Sequence, residues 1–425
     1  MNYLVVGAGI SGISAAKLLR QKNHSVRVFD SKELDSRLKN TLTKLNIGIF
    51  DGGKEDGALE DIDAIVLSPG VPPEHNLLVQ AKKLSIDIIS EVDLALEFFT
   101  GIVIGITGTN GKSTTCKMIE HIMQTKGLKA VACGNIGLPP SERIFQNEKD
   151  DYWVMELSSY QLEISKPIPA KVALFISFSE DHLARHKSME NYFLAKWKLF
   201  TKTNQTRITT TEVLSYTEEF GAQRNNFEFT LVDEPLDLDY SRIPLATKHD
   251  KLNASFSITA VQNFTSSSSQ DLLDTLKNFK TLPHRYERIL TPENYRIIND
   301  SKSTNLDSIL RALESTDEKC VLMIGGQSKG ESFKKIAQYQ DKIEFIICFG
   351  DSHDRIESEL SPSFKCESFS SLKSALLYLK SNPEALTDTL LFSPGCASFD
   401  EFKNFEERGD FFKSEILQIL AGILK

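Results

Sequence analysis

Short runs of β-branched and other apolar residues alternate along the chain with amphipathic stretches. Runs typical of buried strands fall into three groups: Tyr3–Val6, Val26–Phe29, Ala64–Leu67 and Ile86–Ile89; Ile102–Ile106, Trp153–Glu156 and Val172–Phe178; and Arg296–Asn299, Val321–Gly325, Phe345–Gly350 and Thr389–Ser393. Apolar residues recur at helical spacing between such runs, as in Ile13–Leu19. This alternation predicts an α/β protein with parallel sheets covered by helices on both faces.

The length of 425 residues predicts more than one domain, because a single core rarely grows beyond roughly 250–300 residues. We expect three domains, at residues 1–97, 98–282 and 283–425. The first boundary precedes a new strand and glycine turn, and the second follows an amphipathic helix predicted over Leu272–Phe279. The polar, weakly periodic stretch Thr211–His249 predicts irregular or antiparallel edge structure.

Composition restricts the possible partners. The formal net charge of −9 argues against nonspecific binding to nucleic acid or to an anionic membrane. No apolar run approaches the roughly 20 residues of a membrane span, and the apolar start lacks a basic leader. The six cysteines are scattered without a CxxC pair, a usage typical of reduced thiols. We therefore expect a cytoplasmic monomer that acts on small molecules.

A first glycine loop, Gly7-Ala-Gly9-Ile-Ser-Gly12, follows the first predicted strand, and Asp30 ends the next one. Glycines allow close backbone approach, the helix N-terminus attracts phosphate, and an acidic residue suits a ribose hydroxyl. Taken alone, this loop fits NAD(P) or FAD, another nucleotide, or a tight turn without a ligand.

A second glycine loop, Gly108-Thr-Asn-Gly111-Lys112-Ser113-Thr114, lies between the strand Ile102–Ile106 and a helix predicted over Cys116–Met123. Its lysine suits the β- and γ-phosphates, and Ser113 or Thr114 suits Mg²⁺. The strict GxxxxGK[ST] spacing is not met, since Ile106 occupies the first glycine position. Order and composition still predict nucleoside triphosphate binding, which weakens the case for a dehydrogenase.

This second loop resembles the ATP loop of the Mur ligases and of the related folylpolyglutamate synthases. Further motifs follow in the order of the Mur ligase family: Ser68-Pro-Gly70, Gly134-Asn-Ile-Gly137, Glu156-Leu-Ser-Ser-Tyr-Gln161, Asp181-His182, Leu282-Pro-His-Arg285, Asn299-Asp-Ser-Lys-Ser-Thr304 and Ser393-Pro-Gly-Cys-Ala-Ser-Phe-Asp400. Together they cover the whole chain. The stretches ELSSYQLE and SPGCASFDEFKNFEERG resemble the branch that adds D-glutamate, and the DNPR-type signature of the diaminopimelate or lysine branch is missing.

The resemblance implies a Rossmann-like UDP-binding domain, a central P-loop ATPase-like domain and a C-terminal Rossmann-like domain. It implies an ATP-dependent acid–D-amino-acid ligase. ATP would phosphorylate the alanyl carboxylate of UDP-N-acetylmuramoyl-L-alanine, and the amine of D-glutamate would then displace phosphate from the acyl phosphate. Because the P-loop and the C-terminal lysines lie far apart in the sequence, we expect domain closure. A sister Mur ligase, a folylpolyglutamate-synthase-like ligase, an NAD-dependent oxidoreductase and a nucleotide-switched regulator are the alternatives.

The resemblance also implies roles for individual residues. Those expected at ATP are Gly108, Thr109, Asn110, Gly111, Lys112, Ser113, Thr114, Asn253, Arg285 and Asp300. Catalytic roles fall on Lys112, His182, Lys196 and Lys302. Two Mg²⁺ ions would be held by Ser113, Glu156, His182 and Lys196, the last as a carbamate formed from its unprotonated amine and CO₂.

Two further sets belong to the substrates. The UDP-substrate would contact Gly9, Ser11, Asp30, Ser31, Lys32, Ser68, Gly70, Asn135 and His182. D-Glutamate would contact Thr304, Lys329, Ser398 and Phe405. The chain departs from the family pattern at four positions, with Lys32 for Arg, Ser177 for Asn, Ala184 for Asp and Asp250 for Asn. The contact of Lys32 and the support of the metal site are the details that these departures affect.

Overall fold

In a computed structural model, residues 1–202, 205–245, 247–289, 291, 295–386 and 388–423 are described. They form three β-sheets, of five, six and six strands. The predicted α/β class is confirmed, with parallel pairing throughout the first two sheets.

The first sheet has strand order β3-β2-β1-β4-β5. Its strands are β1 (Asn2–Val6), β2 (Ser25–Phe29), β3 (Gly48–Phe50), β4 (Ala64–Leu67) and β5 (Asp87–Ser90). The helices in this stretch are α1 (Ile10–Gln21), α2 (Ser36–Lys44), α3 (Asn76–Lys83) and α4 (Glu91–Leu96). The strand order reverses between β1 and β4, and such switch points open ligand crevices at the carboxyl ends of the strands.

The second sheet has strand order β11-β10-β9-β6-β8-β7. Its strands are β6 (Ile102–Thr107), β7 (Ala130–Gly134), β8 (Tyr152–Glu156), β9 (Ala170–Phe175), β10 (Thr206–Thr209) and β11 (Thr230–Leu231). The helices are α5 (Lys112–Thr125), α6 (Pro140–Phe145), α7 (Ser159–Ile164), α8 (Leu183–His186), α9 (Met189–Trp197), α10 (Thr211–Glu219), α11 (Lys248–Val261) and α12 (Ser269–Asp274), with 3-10 turns at Lys198–Phe200 and Thr275–Asn278. The loops that follow β6, β8 and β9 therefore meet at one sheet edge.

The third sheet has strand order β12-β13-β17-β14-β15-β16. Its strands are β12 (Glu287–Ile289), β13 (Arg296–Asn299), β14 (Cys320–Gly325), β15 (Ile343–Phe349), β16 (Cys366–Phe369) and β17 (Thr389–Gly395). The helices are α13 (Leu306–Glu314), α14 (His353–Leu360), α15 (Leu372–Ser381) and α16 (Phe405–Ile423), with 3-10 turns at Lys334–Tyr339 and Pro383–Ala385. Only β12 pairs antiparallel among the described strands of this sheet.

Burial on both faces explains the unbroken apolar runs. In β1, Val5 packs into one core with residues of α1, whereas Leu4 and Val6 pack into a second core with residues of α3. In β14, Met323 and Leu322 divide in the same way between two cores. A strand covered on both sides cannot alternate apolar and polar residues, so continuous runs mark these strands in the sequence.

Two expectations about elements were wrong. Residues Thr211–Glu219 form the helix α10, and β11 pairs parallel to β10, so the stretch predicted as irregular or antiparallel contains regular structure. Thr210 caps α10 by accepting from the backbone N–H of Val213, a local signal that outweighs the polar composition. The helix predicted over Leu272–Phe279 ends earlier, at Asp274, and continues as a 3-10 turn.

The described chain divides into two compact units. One comprises Met1–Phe178, Arg185–Ile243 and Asp250–Phe279, and it contains the first two sheets. The other comprises Ser179–Ala184, Pro244–His249 and Lys280–Lys425, and it contains the third sheet. All six cysteines are free thiols. Within the described residues, no helix is long and apolar enough to cross a membrane.

Candidate active site

The crevice at the switch point of the first sheet is built by close backbone packing. Gly7 has φ +98°, and a Cβ at Gly12 would lie 1.9 Å from the carbonyl oxygen of Gly7. The hydroxyl of Ser68, which follows β4, donates to the same carbonyl at 2.9 Å. Glycine is therefore required where α1 approaches the turn, and the loops after β1 and β4 are joined directly.

Asp30 connects the loops of this crevice. One carboxylate oxygen accepts from the backbone N–H of Ala8 at 2.7 Å, and the other accepts from the N–H of Lys32 at 2.9 Å. Gly9, Ser31, Lys32 and Gly70 are exposed, and Ser11 is half-buried. The predicted UDP-substrate residues of the first sheet thus surround one crevice, with Asp30 as its internal support.

The second glycine loop joins β6 to α5. Gly111 caps α5 with φ +85°, and Lys112 Nζ donates to the carbonyl oxygens of Gly108 and Thr109, each at 2.8 Å. The loop is braced from the chain that follows β9, because the Ser177 hydroxyl hydrogen-bonds both the N–H and the carbonyl of Asn110 at 2.9 Å. Ser177, one of the four departures from the family pattern, thereby holds the phosphate loop.

Asn253 of α11 lies against this loop. A Cβ at Gly111 would come within 2.6 Å of the Asn253 side-chain oxygen, which also accepts from Thr115 Oγ1 at 3.4 Å. The structure thus places Asn253 beside the phosphate loop, and its contact with ATP on the adenine side stays a prediction.

Lys196 of α9 is also part of this region. The side chain is 1% exposed, and its Nζ donates to the Gly108 carbonyl at 2.7 Å. It lies 4.7 Å from the ring centroid of Tyr192, whose hydroxyl hydrogen-bonds Thr109 Oγ1 at 3.2 Å. The ammonium groups of Lys112 and Lys196 therefore meet at one carbonyl of the phosphate loop.

Glu156 ends β8, next to the phosphate loop. Its cross-strand partner is Ile106 of β6, and the residue is 2% exposed. The Asn135 side chain donates to its carboxylate at 2.7 Å. The family resemblance implies a metal role for Glu156 and a substrate role for Asn135, and the structure brings the two side chains into direct contact.

The donor set around the phosphate loop fits Mg²⁺. The described residues contain no cluster of three or more His, Cys, Asp or Glu that could hold a metal by itself. Mg²⁺ usually takes one or two protein carboxylates and completes its shell with water and substrate phosphate. The buried carboxylate of Glu156 and the buried hydroxyl of Ser113, in the first turn of α5, match that pattern.

In the other unit, the predicted residues lie at the carboxyl ends of neighbouring strands. Asp300, after β13, accepts from the N–H of Tyr286 at 3.0 Å and from the hydroxyl of Ser393 at 2.9 Å. Lys302 Nζ lies 4.0 Å from the ring centroid of Phe405. Two predicted residues, one assigned to phosphate and one to D-glutamate, are therefore in contact.

The buried side chain of Arg408 contacts the loops that follow β13 and β17. Its guanidinium donates to the carbonyl of Ser301 at 2.7 Å and to the carbonyl of Cys396 at 3.0 Å. Burial lowers the pKa of Arg408 to about 10, so the guanidinium remains charged at neutral pH. The loops after β13 and β17 are thus fixed by one cation.

Lys329 follows β14 and pairs with Asp181. Its Nζ lies 2.6 Å from Asp181 Oδ1, and Asn305 Nδ2 donates to the other carboxylate oxygen at 3.2 Å. Burial favours a raised pKa for Asp181, but the charges of Lys329 and His182 and these hydrogen bonds lower it to about 2. His182 has φ +57°, and its backbone N–H donates to the same carboxylate at 2.8 Å.

Ser398 lies beside the Lys329 loop. Gln327 and Ala397 exchange backbone hydrogen bonds of 2.9 and 3.0 Å, which brings the loops after β14 and β17 together. Ser398 is 3% exposed, whereas Thr304 and Phe405 are half-buried. The four residues predicted for D-glutamate therefore share the edge formed by β13, β17 and β14.

Comparisons with known proteins agree with this arrangement. The Mur ligase MurD-like N-terminal domain matches residues 1–90, and the Mur ligase middle domain matches residues 106–229. The chain is 34% identical to the UDP-N-acetylmuramoylalanine–D-glutamate ligase of Prochlorococcus marinus strain MIT 9312, over 98% of this chain and 96% of the relative. The ligase of the same name from Hydrogenobaculum is 34% identical over 97% of this chain and 98% of its own length.

The chain belongs to the Mur ligase family.

Solved structures of Mur ligases share its fold. The UDP-N-acetylmuramate–alanine ligase of Thermotoga maritima covers 100% of both chains with a TM-score of 0.58 at 18% identity. The MurF ligase of Thermotoga maritima, solved in complex with ADP, covers 92% of this chain and 95% of its own, with a TM-score of 0.60 at 15% identity. These likenesses show that the chain has the Mur ligase fold.

Two further residues, Tyr192 and Asp181, contact the predicted site residues without having a predicted role of their own. Tyr192 contacts both the phosphate loop and Lys196, and Asp181 holds Lys329. Spacing indicates the first of these, because residues four apart on a helix share a face. Asp181 and Lys329 are 148 positions apart, and only the fold shows their contact.

Proposed function

We propose that this Mur ligase joins D-glutamate to UDP-N-acetylmuramoyl-L-alanine at the expense of ATP, in the synthesis of peptidoglycan precursors. The observation that carries the proposal is its 34% identity, over 98% of the chain, to a ligase named for this reaction. The contacts within each unit support the assignment, since the residues expected for each ligand cluster at strand ends.

The phosphate loop binds the triphosphate of ATP. Backbone N–H groups at the start of α5 face the phosphates, and Lys112 leaves the carbonyls that it now contacts to bind the β- and γ-phosphates. Asn253 contributes on the adenine side, with Arg285 and Asp300 as further nucleotide contacts. Glu156 and Ser113 would hold Mg²⁺, which neutralises phosphate charge when bound.

The reaction is a phosphoryl transfer followed by an acyl transfer. An oxygen of the alanyl carboxylate attacks the γ-phosphorus and ADP leaves, which forms the acyl phosphate. The neutral amine of D-glutamate then attacks the acyl carbon, inorganic phosphate leaves and the nitrogen loses a proton. Lys112 and Lys302 stabilise the negative charge on the transferred phosphoryl group. His182 and Lys196, the latter as a carbamate, are the other two residues with proposed catalytic roles.

The remaining residues bind the two acceptor substrates. The crevice of the first sheet holds the UDP moiety, with Gly9, Ser11 and Ser68 at phosphate and Asp30 beside the ribose. Ser31, Lys32, Gly70, Asn135 and His182 complete this set. Lys329 pairs with a carboxylate of D-glutamate, Ser398 and Thr304 donate hydroxyl hydrogen bonds, and Phe405 forms a wall of the amino-acid pocket.

A panel of amino acids tests the proposal. Each is offered with ATP, Mg²⁺ and UDP-N-acetylmuramoyl-L-alanine, and released phosphate is measured. We expect release with D-glutamate alone, and none from a Lys112→Ala variant under the same conditions. Preference for L-lysine or diaminopimelate would instead assign the chain to a sister branch.

A further inference from the structure

The loop that carries Lys329 combines two glycines with short internal hydrogen bonds, from the N–H of Lys329 to the Glu331 carboxylate at 3.0 Å and from the N–H of Gly330 to the Ser328 hydroxyl at 3.1 Å. It runs from the end of β14 to the buried side chain of Phe333. Glycines at 326 and 330 have φ values of +118° and +103°, a region that other residues rarely enter. These bonds stay within the loop and the Lys329 ammonium pairs with Asp181, so the direction in which the loop presents this side chain also depends on contacts from outside the loop.

Arg355 of α14 fastens the loop on both sides of Lys329. Its Nη2 donates to the carbonyl of Glu331 at 2.7 Å and to that of Gly330 at 3.0 Å. Its Nη1 donates to the hydroxyl of Ser328 at 3.4 Å. One planar guanidinium thus spans the residues that flank Lys329, a geometry that a lysine at this position cannot reproduce.

Glu359, one helical turn further along α14, fastens the end of the same loop. Its carboxylate accepts from the N–H of Phe333 at 2.7 Å and from the hydroxyl of Ser332 at 2.9 Å. It also accepts from Arg355 Nε at 3.2 Å, so the two side chains orient each other. Burial raises the pKa of Glu359, but these hydrogen bonds outweigh it and lower the pKa, which keeps the carboxylate charged.

We propose that Arg355 and Glu359, the α14 clamp, are positioning residues for the amino-acid substrate. They touch no reacting atom; they hold the loop so that Lys329 presents its ammonium in one orientation. This inference rests on the proposed function, in which Lys329 binds a carboxylate of D-glutamate. Ordering the loop in advance removes an entropic cost that would otherwise be met when the amino acid binds.

Steady-state kinetics of Arg355→Ala and Glu359→Ala test the clamp. We expect the KM for D-glutamate to rise about tenfold, with the KM values for ATP and the UDP-substrate unchanged. Arg355→Lys keeps the charge without the fork and should fall between wild type and Arg355→Ala. The thermal melting temperature is recorded for each variant, so that a folding defect is recognised.

Arg296→Ala is the matched control. Arg296 forms an exposed ion pair with Glu318 in the same unit, at the amino end of β13, and it has no proposed role in binding. We expect its three KM values to equal those of wild type. A rise in the D-glutamate KM of this control as large as that of Arg355→Ala would overturn the proposal.

Amide hydrogen exchange tests the clamp without substrate. In Glu359→Ala, the N–H of Phe333 should exchange faster, since its acceptor is removed. Faster exchange with an unchanged D-glutamate KM would overturn the positioning role, as would an equal loss for all three substrates. Unchanged exchange would overturn the clamp itself. If the wild-type protein releases no phosphate with D-glutamate, the proposed function is wrong. The clamp is then tested by the same comparison of variants, with the amino acid that the panel identifies.

Discussion

Glu91, at the start of α4, makes the stability of the protein depend on pH. Its side chain is 2% exposed, and it accepts from the N–H of Ser141 in α6 at 2.7 Å. Burial raises the pKa from 4.5 to about 7; the charge of Asp93 adds to the rise and the Ser141 hydrogen bonds oppose it. Between pH 4.5 and about pH 7, Glu91 therefore keeps its proton in the folded state but loses it in the unfolded chain.

The sign and size of the effect follow from linkage. For an acid whose pKa is raised on folding, the contribution to stability is complete below pH 4.5 and is lost as the pH rises through about 7. A shift from 4.5 to about 7 corresponds to about 3 kcal/mol of unfolding free energy. Glu91→Gln keeps an oxygen acceptor for Ser141 and removes the ionisation. We therefore expect the variant to exceed wild type by only about 1 kcal/mol at pH 5 and by up to about 3 kcal/mol at pH 8.

Urea unfolding followed by tryptophan fluorescence measures this difference, since Trp153 and Trp197 lie in the same unit as Glu91. Unfolding free energies of wild type and variant are compared from pH 5 to 8. Glu97→Gln, at an exposed carboxylate that ends the same helix, is the matched control and should show no such trend. A difference independent of pH, or a variant less stable than wild type at pH 8, would refute the reasoning.

Three further substitutions have definite expected outcomes. Gly12→Ala should lower the unfolding free energy in urea by about 3 kcal/mol, because its Cβ would lie 1.9 Å from the Gly7 carbonyl; a loss below ~1 kcal/mol would contradict that packing. Asp181→Asn removes a carboxylate with a pKa of about 2 that pairs with Lys329, and it should cost about 2 kcal/mol at pH 7. This cost should shrink as the pH falls below 4, and a constant cost would exclude the linkage. If Lys196 is carbamylated as proposed, Lys196→Ala should reduce ligase turnover at limiting Mg²⁺ about 100-fold, and wild type should give a carbamate carbonyl signal in ¹³C NMR after exposure to labelled CO₂. Full turnover of the variant would exclude the carbamate.

The sequence predicts those strands that are buried on both faces. The runs at Ala64–Leu67 and Arg296–Asn299 coincide with β4 and β13, because each carries two adjacent β-branched residues at its centre. Strands that lack this composition escaped prediction: β7 consists of small residues, and β11 has two exposed residues at a sheet edge. Their pairing comes from the neighbouring strand, which a local pattern does not contain.

The candidate site likewise has one part that the sequence predicts and another that it does not. The phosphate loop is contiguous, so its residues and spacing predict its chemistry directly. Contacts between distant residues were not predicted, such as Lys196 with Gly108, 88 positions apart, or the hold of Arg355 on Gly330. The spacing of four residues suits the pair of Arg355 with Glu359, but nothing near Arg355 indicates its contacts with the Lys329 loop, which form only when β14 and β15 pair.

The ion pair between Lys329 and Asp181 has a consequence for selectivity. A substrate carboxylate that binds Lys329 would displace the Asp181 carboxylate from its ammonium. The attraction between Lys329 and Asp181 would thus be exchanged for one of similar strength between Lys329 and the substrate. The net electrostatic gain is then small and much the same for every acidic amino acid. On the proposed assignment, chirality and side-chain length would then be sensed by the other residues of the amino-acid pocket, Thr304, Ser398 and Phe405, which carry no charge that could compensate for a misplaced atom.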